Sequence, residues 1–214
     1  LSKPTTFSIS FNFKMSPGSE GFVFSIGKTF GLGGSSGALG YSGKDSIGVK
    51  FDTTQSPGEL YNNYVGFLKN GEPGNIIASF EEVNRFDQNE IWYVWIDYDG
   101  SGLYLRYSKL NERPLEAILY THLNLTYLAN ENVYYQFSSA TGSISSLVEI
   151  LPPLNFANTA ETFDGGCSPG EYYNFVTGMC SKCSSDSYNP GNSPCCLNCP
   201  SGLVSTEDRT SCTG

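Results

Sequence analysis

The run Phe7-Ser-Ile-Ser-Phe-Asn-Phe13 puts an apolar side chain at every second position, the period of a strand with one buried face. The alternation returns in Glu90-Ile-Trp-Tyr-Val-Trp-Ile-Asp-Tyr98 and, past an Asp99-Gly-Ser-Gly102 turn, in Leu103-Tyr-Leu-Arg-Tyr107. Further strands are predicted at Gly21–Ile26, Ile47–Asp52, Tyr64–Leu68, Ala117–Tyr120, Asn132–Ser138 and Ser146–Leu151. Ser16-Pro-Gly-Ser19 and the hairpin-type Lys69-Asn-Gly71 supply turns, and Leu125–Asn130 suggests one short helical turn. Short strands at close spacing, without helical periodicity between them, imply an antiparallel sandwich.

Composition agrees with that pattern. Aromatics make up 14% of the chain and charged residues only 15%, which favours a packed β core over long surface helices. The net charge of −9 and the lack of any basic cluster argue against nucleic acid and anionic membranes as partners. No apolar run is long enough to span a bilayer, so no membrane insertion is expected in this segment. The chain opens Leu1-Ser-Lys-Pro4, as a mature product or an excised part of something longer would.

Cysteine usage divides the chain. All seven cysteines follow residue 166, so the first region depends on a core and the second on crosslinks. The expected organisation is a sandwich over 1–156, a small polar linker over 157–166 and a cysteine-rich region over 167–214. That last region is an internal repeat of three 16-residue blocks, with cysteines at block positions one and fourteen. The period pairs Cys167 with Cys180, Cys183 with Cys196, and Cys199 with Cys212. Crossed pairing between blocks is the alternative, and Cys-x-x-Cys at 180/183 and 196/199 also fits zinc. The region is too poor in apolar residues to fold without crosslinks, which favours disulfides. Cys195 is left over, either free or bonded to a cysteine outside this segment. Disulfides place the chain in an oxidising setting, secreted or at a cell surface, where the sequon Asn124-Leu-Thr126 would be glycosylated. The repeat resembles the cysteine-rich repeats of ephrin-receptor-like and TNF-receptor-like stalks.

The ordered segments GALGYSG (37–43) and SIGVKFDT (46–53), YVGFLKNG (64–71), VWIDYDGSGLYLRYS (94–108) and VYYQFSSATGS (133–143) resemble the legume-type (L-type) lectin domain over about residues 5–156. The resemblance implies an all-β, concanavalin-like antiparallel sandwich of jelly-roll type. A laminin-G or pentraxin-like jelly roll is the alternative within that architecture. Phe7–Phe13 matches a strand well inside the family's domain, so its first strands are expected to be absent or replaced.

By the same resemblance, the sugar site would draw on Glu20, Gly37, Leu39, Gln55, Ser139, Thr141 and Gly142. Glu20 stands where the family has aspartate; its extra methylene displaces the carboxylate by about 1.5 Å. Lys50 and Tyr64 stand where the legume members hold a transition metal, and a cationic lysine cannot be a ligand. Calcium is the one cofactor the resemblance implies, with Asp52, Thr54, Gln55 and Glu59 as donors. The competing reading pairs Asp52 with Lys50 or has it cap the following turn.

Catalysis has little support, and no enzyme is expected. His122 has no partner motif, Asp99-Gly100 is turn chemistry rather than half of a hydrolytic carboxylate pair, and GLGGSSG lacks the lysine and helix of a phosphate loop. Trp92 and Trp95 face opposite sides of their strand, one toward the core and the other toward a sugar or an interface. Two functions follow. One is an extracellular carbohydrate-binding adhesion module on a cysteine-rich stalk, with glycans or glycoproteins as partners. The other is a structural subunit of an extracellular coat or filament, which would bind copies of itself or other extracellular proteins.

Overall fold

A computed structural model describes residues 6–71, 76–128, 132–141, 147–157, 167–174, 179–190 and 196–214. Ten strands build the sandwich: β1 (Phe7–Met15), β2 (Gly21–Gly27), β3 (Ser46–Asp52), β4 (Tyr64–Lys69), β5 (Ile76–Glu81), β6 (Ile91–Tyr98), β7 (Gly102–Ser108), β8 (Leu119–His122), β9 (Tyr134–Ser138) and β10 (Val148–Ala157). They form two five-stranded antiparallel sheets, a back sheet ordered β10-β1-β6-β7-β8 and a front sheet ordered β5-β4-β3-β2-β9. Among the described residues the only helical elements are 3₁₀ turns, at Ser36–Ala38 and Thr126–Leu128. None is long and apolar enough to cross a membrane.

The period-two residues of β1, from Phe7 to Met15, all face the sheet-to-sheet core. There Phe11, Phe13, Phe22, Phe24, Phe51 and Phe86 interlock as tilted, edge-on and stacked pairs with centroids 4.9–6.3 Å apart. Burying each such ring contributes about 1.5–3 kcal/mol. Trp92 joins this core at 3% exposure, whereas Trp95 stacks beside Tyr93 on the outer face of the back sheet. That places Trp95 away from the glycine-rich loop and removes it as a sugar platform there.

The strand map differs from the sequence pattern in two places. The alternation does not predict β5, because Ile76–Glu81 lies at an edge, nowhere fully buried, and shows no clean period. β10 continues past Leu151 through a cis Pro152-Pro153 bond to Ala157. An edge strand tolerates proline because its outward side needs no N–H donors.

The front sheet has a second, smaller core on its outer face. Val49 and Phe51 of β3 point inward, so Gly48, Lys50 and Asp52 point outward. Residues 28–45 fold over this face, and Leu39 and Tyr41 pack there on Val23 and Leu68. Gly48 makes room: a Cβ there would lie 2.9 Å from a Val23 methyl carbon and 3.2 Å from the Tyr41 ring. The Tyr41 hydroxyl and the Ser46 hydroxyl are 2.8 Å apart, tying the loop to the start of β3.

In the cysteine-rich region three hairpins follow one another: β11 (Glu171–Asn174) with β12 (Met179–Lys182), β13 (Ser187–Tyr188) with β14 (Leu197–Asn198), and β15 (Val204–Ser205) with β16 (Cys212–Thr213). Each is closed by one disulfide, Cys167–Cys180, Cys183–Cys196 and Cys199–Cys212, with Cα atoms 5.5–5.7 Å apart. The blocks also bond to one another. The buried Asn189 accepts the Gly170 N–H at 2.8 Å on its carbonyl and donates its own N–H to the Arg209 carbonyl at 2.8 Å. Cys195 and most of the expected linker, residues 158–166, lie outside the described residues.

Candidate functional site

Four segments meet at one end of the front sheet. Residues 16–20 lead into β2, whose first residue Gly21 pairs with Asp52 at the end of β3. The Thr53 N–H donates to the Glu20 carbonyl at 3.0 Å, and the Thr53 hydroxyl donates to the Ser19 carbonyl. On the other side of β2, the Ser139 hydroxyl donates to the Gly21 carbonyl at 2.7 Å. The glycine-rich loop closes over this end, and a Cβ at Gly40 would come within 3.1 Å of the Ser139 carbonyl oxygen.

The electrostatic centre is Lys50, whose side chain is wholly buried. Its ammonium donates to Asp52 Oδ2 at 2.6 Å, Glu59 Oε1 at 2.5 Å and the Gly37 carbonyl at 2.7 Å. The Tyr64 ring lies under it, 5.2 Å from Nζ to the centroid, and the Tyr64 hydroxyl donates to Glu59 Oε1 at 3.0 Å. The remaining carboxylate oxygens are also bonded: Asp52 Oδ1 accepts the Thr54 N–H at 2.8 Å, and Glu59 Oε2 accepts the Ser56 N–H at 2.7 Å. Burial pushes the Asp52 carboxyl up to about 6 against the pull of the Lys50 charge and the Thr54 N–H. Burial, with the nearby Asp52 and Glu59 charges, also drives the Tyr64 hydroxyl far up, so it stays protonated and remains a donor.

Of the four residues considered as calcium donors, Asp52 and Glu59 do meet, but around the ammonium. Thr54 turns its N–H toward Asp52, and the exposed Gln55 donates its side-chain amide to the Glu59 carbonyl at 2.9 Å. Calcium takes six to eight oxygens. Here two carboxylates and one carbonyl already surround a resident positive charge. Among the described residues no group of three or more His, Cys, Asp or Glu is placed to hold a metal. The donor set fits an ammonium better than a divalent ion, and Asp52 takes the ion-pair reading.

The other sugar-site candidates divide. Glu20 is half-buried at the rim, while Gln55 and Thr141 are exposed there. Gly37 contributes its carbonyl to Lys50, and its lack of a side chain allows the approach, since a Cβ would sit 3.1 Å from Ser56 Oγ. Leu39, placed in the sugar site by the resemblance, is 1% exposed and packs into the outer-face core, leaving only its backbone for the site. Gly142 lies outside the described residues. Sequence reading missed Ser56 and the joint role of Tyr64 and Glu59. The available signal was a lysine flanked by Val49 and Phe51 with Asp52 two residues on, a charge pair set in an otherwise apolar strand.

Asp97 and Asp99, the carboxylates weighed for hydrolysis, are both engaged within the fold. Asp97 accepts from the Ser8 hydroxyl at 2.6 Å, Arg106 at 3.2 Å and Arg113 at 2.6 Å. Asp99 caps its own turn through the N–H groups of Ser101 and Gly102, each at 2.8 Å. His122 is exposed, its Nε2 2.7 Å from the Tyr120 hydroxyl.

A family model described as the legume lectin domain matches residues 2–162. Solved structures share the fold at low identity. A basic winged bean lectin with Tn-antigen is 20% identical, with a TM-score of 0.57 over 69% of this chain and 68% of that one. A Bauhinia forficata lectin in complex with GalNAc is 18% identical, with a TM-score of 0.58 over 72% and 73%. Lectin II from Ulex europaeus is 20% identical, with a TM-score of 0.57 over 72% and 73%. No curated protein matches the chain significantly.

Proposed function

Because the chain belongs to the legume lectin domain family, we propose that its sandwich is a carbohydrate-binding module, carried outside the cell on a cysteine-rich stalk and serving adhesion. The observation that carries this reading is the meeting of residues 16–20, 36–40, 53–59 and 139–141 at one end of the front sheet. A sugar presents hydroxyls that both donate and accept. The rim would answer them with the Glu20 carboxylate, the Gln55 amide, the Thr141 hydroxyl and backbone groups of the glycine loop. Neither Asp97 nor Asp99 is offered to a substrate, so binding rather than hydrolysis is the expected activity. Three disulfides in the last 48 residues support an oxidising compartment.

Glycan-array screening followed by calorimetry tests the proposal. Galactose and GalNAc, the second being the ligand of the Bauhinia forficata structure, come first. Glu20→Ala and Gln55→Ala should each weaken binding by roughly tenfold while leaving the sandwich melt unchanged. Failure of every glycan to bind, or identical binding by both variants, would refute it.

A further inference from the structure

We infer that the Lys50 ammonium takes the place of a bound metal ion, so that the loops of the candidate site are ordered by a side chain and work without divalent cations. The inference deepens the carbohydrate-binding reading and rests on it only for the statement about sugar. An ammonium has three hydrogens, and all three of its contacts here come from different stretches of chain: Asp52 at the end of β3, Glu59 in the segment that follows, and Gly37 in the glycine loop. A coordinated cation would join those same three pieces. The side chain starts from β3, the middle strand of the front sheet, so its position is fixed by the ladder rather than by solution conditions. Burial is complete at Lys50 and nearly so at its partners, with Asp52 and Glu59 side chains 2% and 7% exposed. A divalent ion entering between the same carboxylates would lie beside a buried positive charge that cannot withdraw, with Tyr64 on one side and Gly37 on another. The carboxylate oxygens turned away from Lys50 are held by the Thr54 and Ser56 N–H groups, so they are not directed at a second cation. Lys50 is thus a positioning residue. It holds Gly37 and the segment bearing Gln55 at the rim without touching the sugar.

The test compares the wild-type chain with Lys50→Met, which keeps an unbranched stem and removes the charge. For the wild type, the melting temperature should stay within about 1 °C in millimolar calcium or excess EDTA. In Lys50→Met two carboxylates face each other without a cation, so amide exchange over residues 36–40 and 53–59 should accelerate by about tenfold or more. Millimolar calcium should then raise the melting temperature of the variant, because the vacated position can accept an ion. Wild-type protein stabilised by calcium by several degrees, or loosened by EDTA, overturns the inference. So does a Lys50→Met chain whose loop exchange equals wild type. The wild-type arm needs no variant to fold, and neither arm needs a glycan. A metal-indifferent wild type with a loosened Lys50→Met but no glycan binding would sink the carbohydrate reading and leave this one standing.

Discussion

Replacing Asp97 by alanine should cost this sandwich about 3–5 kcal/mol, the range for removing one partner of a buried ion pair. Asp97 is 1% exposed on β6 and accepts from Ser8 on β1, Arg106 on β7 and Arg113 in the segment after β7. Alanine would leave Arg106, also 1% exposed, holding its charge under the Leu115 carbonyl, to which its Nε donates at 3.2 Å. That guanidinium is almost wholly buried, so most of the desolvation cost appears. Lys14 and Glu149 provide the control: they pair at 3.0 Å with side chains 29% and 37% exposed, so Glu149→Ala should cost less than about 1 kcal/mol. Both tryptophans, Trp92 and Trp95, sit on β6, so urea unfolding followed by tryptophan fluorescence reports on the sandwich and not on the disulfide region. At about 2–4 °C per kcal/mol for a protein of this size, a loss of about 4 kcal/mol lowers the melting temperature by roughly 8–16 °C. Asp97→Ala/Arg106→Met should recover part of the loss, since it removes one of the charges that lose the Asp97 carboxylate. An Asp97→Ala protein no less stable than Glu149→Ala would refute the reasoning.

Reduction should open the three hairpins, each disulfide contributing on the order of 3 kcal/mol for its 13-residue separation, while the tryptophan signal holds; a tryptophan shift on adding reductant would contradict this. With six of the seven cysteines in these bonds, the denatured, unreduced chain should take one alkylating label, at Cys195, or run as a disulfide-linked dimer; a label mapped to any of the other six cysteines would place Cys195 in a bond within the chain. Asn124 is exposed, its Oδ1 accepting the Thr126 N–H at 2.9 Å, and chain secreted from eukaryotic cells should lose mass there on glycosidase treatment. Burial alone would raise the Asp87 carboxyl, but Arg85 and the Gly18 N–H outweigh it and hold the group below the usual aspartate range. A depressed value contributes stability that is present above about pH 4 and lost on acidification below it, so Asp87→Asn should show a smaller acid-side drop in melting temperature than wild type.

The sandwich was legible where a strand has one buried and one covered or wet face. β1, β6 and β7 write that geometry into the sequence as strict alternation, and their aromatic residues then fill the core. β5 escaped because an edge strand at partial burial imposes no period, and the second half of β10 escaped because prolines end strands only where the N–H is needed. The disulfide pairs were legible because a fixed 16-residue period leaves one pairing that closes equal loops. The candidate site was half legible. Asp52 beside Lys50 suggests a local pair, yet nothing in the spacing says that Glu59, nine residues away, and the Gly37 carbonyl, thirteen away, close on the same nitrogen. Those contacts exist only once the glycine loop has folded back over β3. Leu39 misled for the same reason: its neighbours mark it as loop, while the small outer-face core makes it interior.

The buried charges of this sandwich sit outside the main core, and their distribution bears on how the loops are placed. On the front sheet Lys50 joins β3 to the glycine loop and the segment after β3; on the back sheet Asp97 joins β1 and β7 to the segment carrying Arg113 and Leu115. The space between the sheets is aromatic and aliphatic, where shape and volume decide and one ring can substitute for another at modest cost. Ammonium and guanidinium bonds are directional, and a loop anchored by them has one position rather than several. Leaving such a group unpaired is costly, which excludes alternative loop arrangements more sharply than apolar packing would. The division of labour follows: the core makes the two sheets stick, and the charges beneath the loops decide where each loop lies. On the front sheet, the segments so fixed carry the rim at which a sugar would be read.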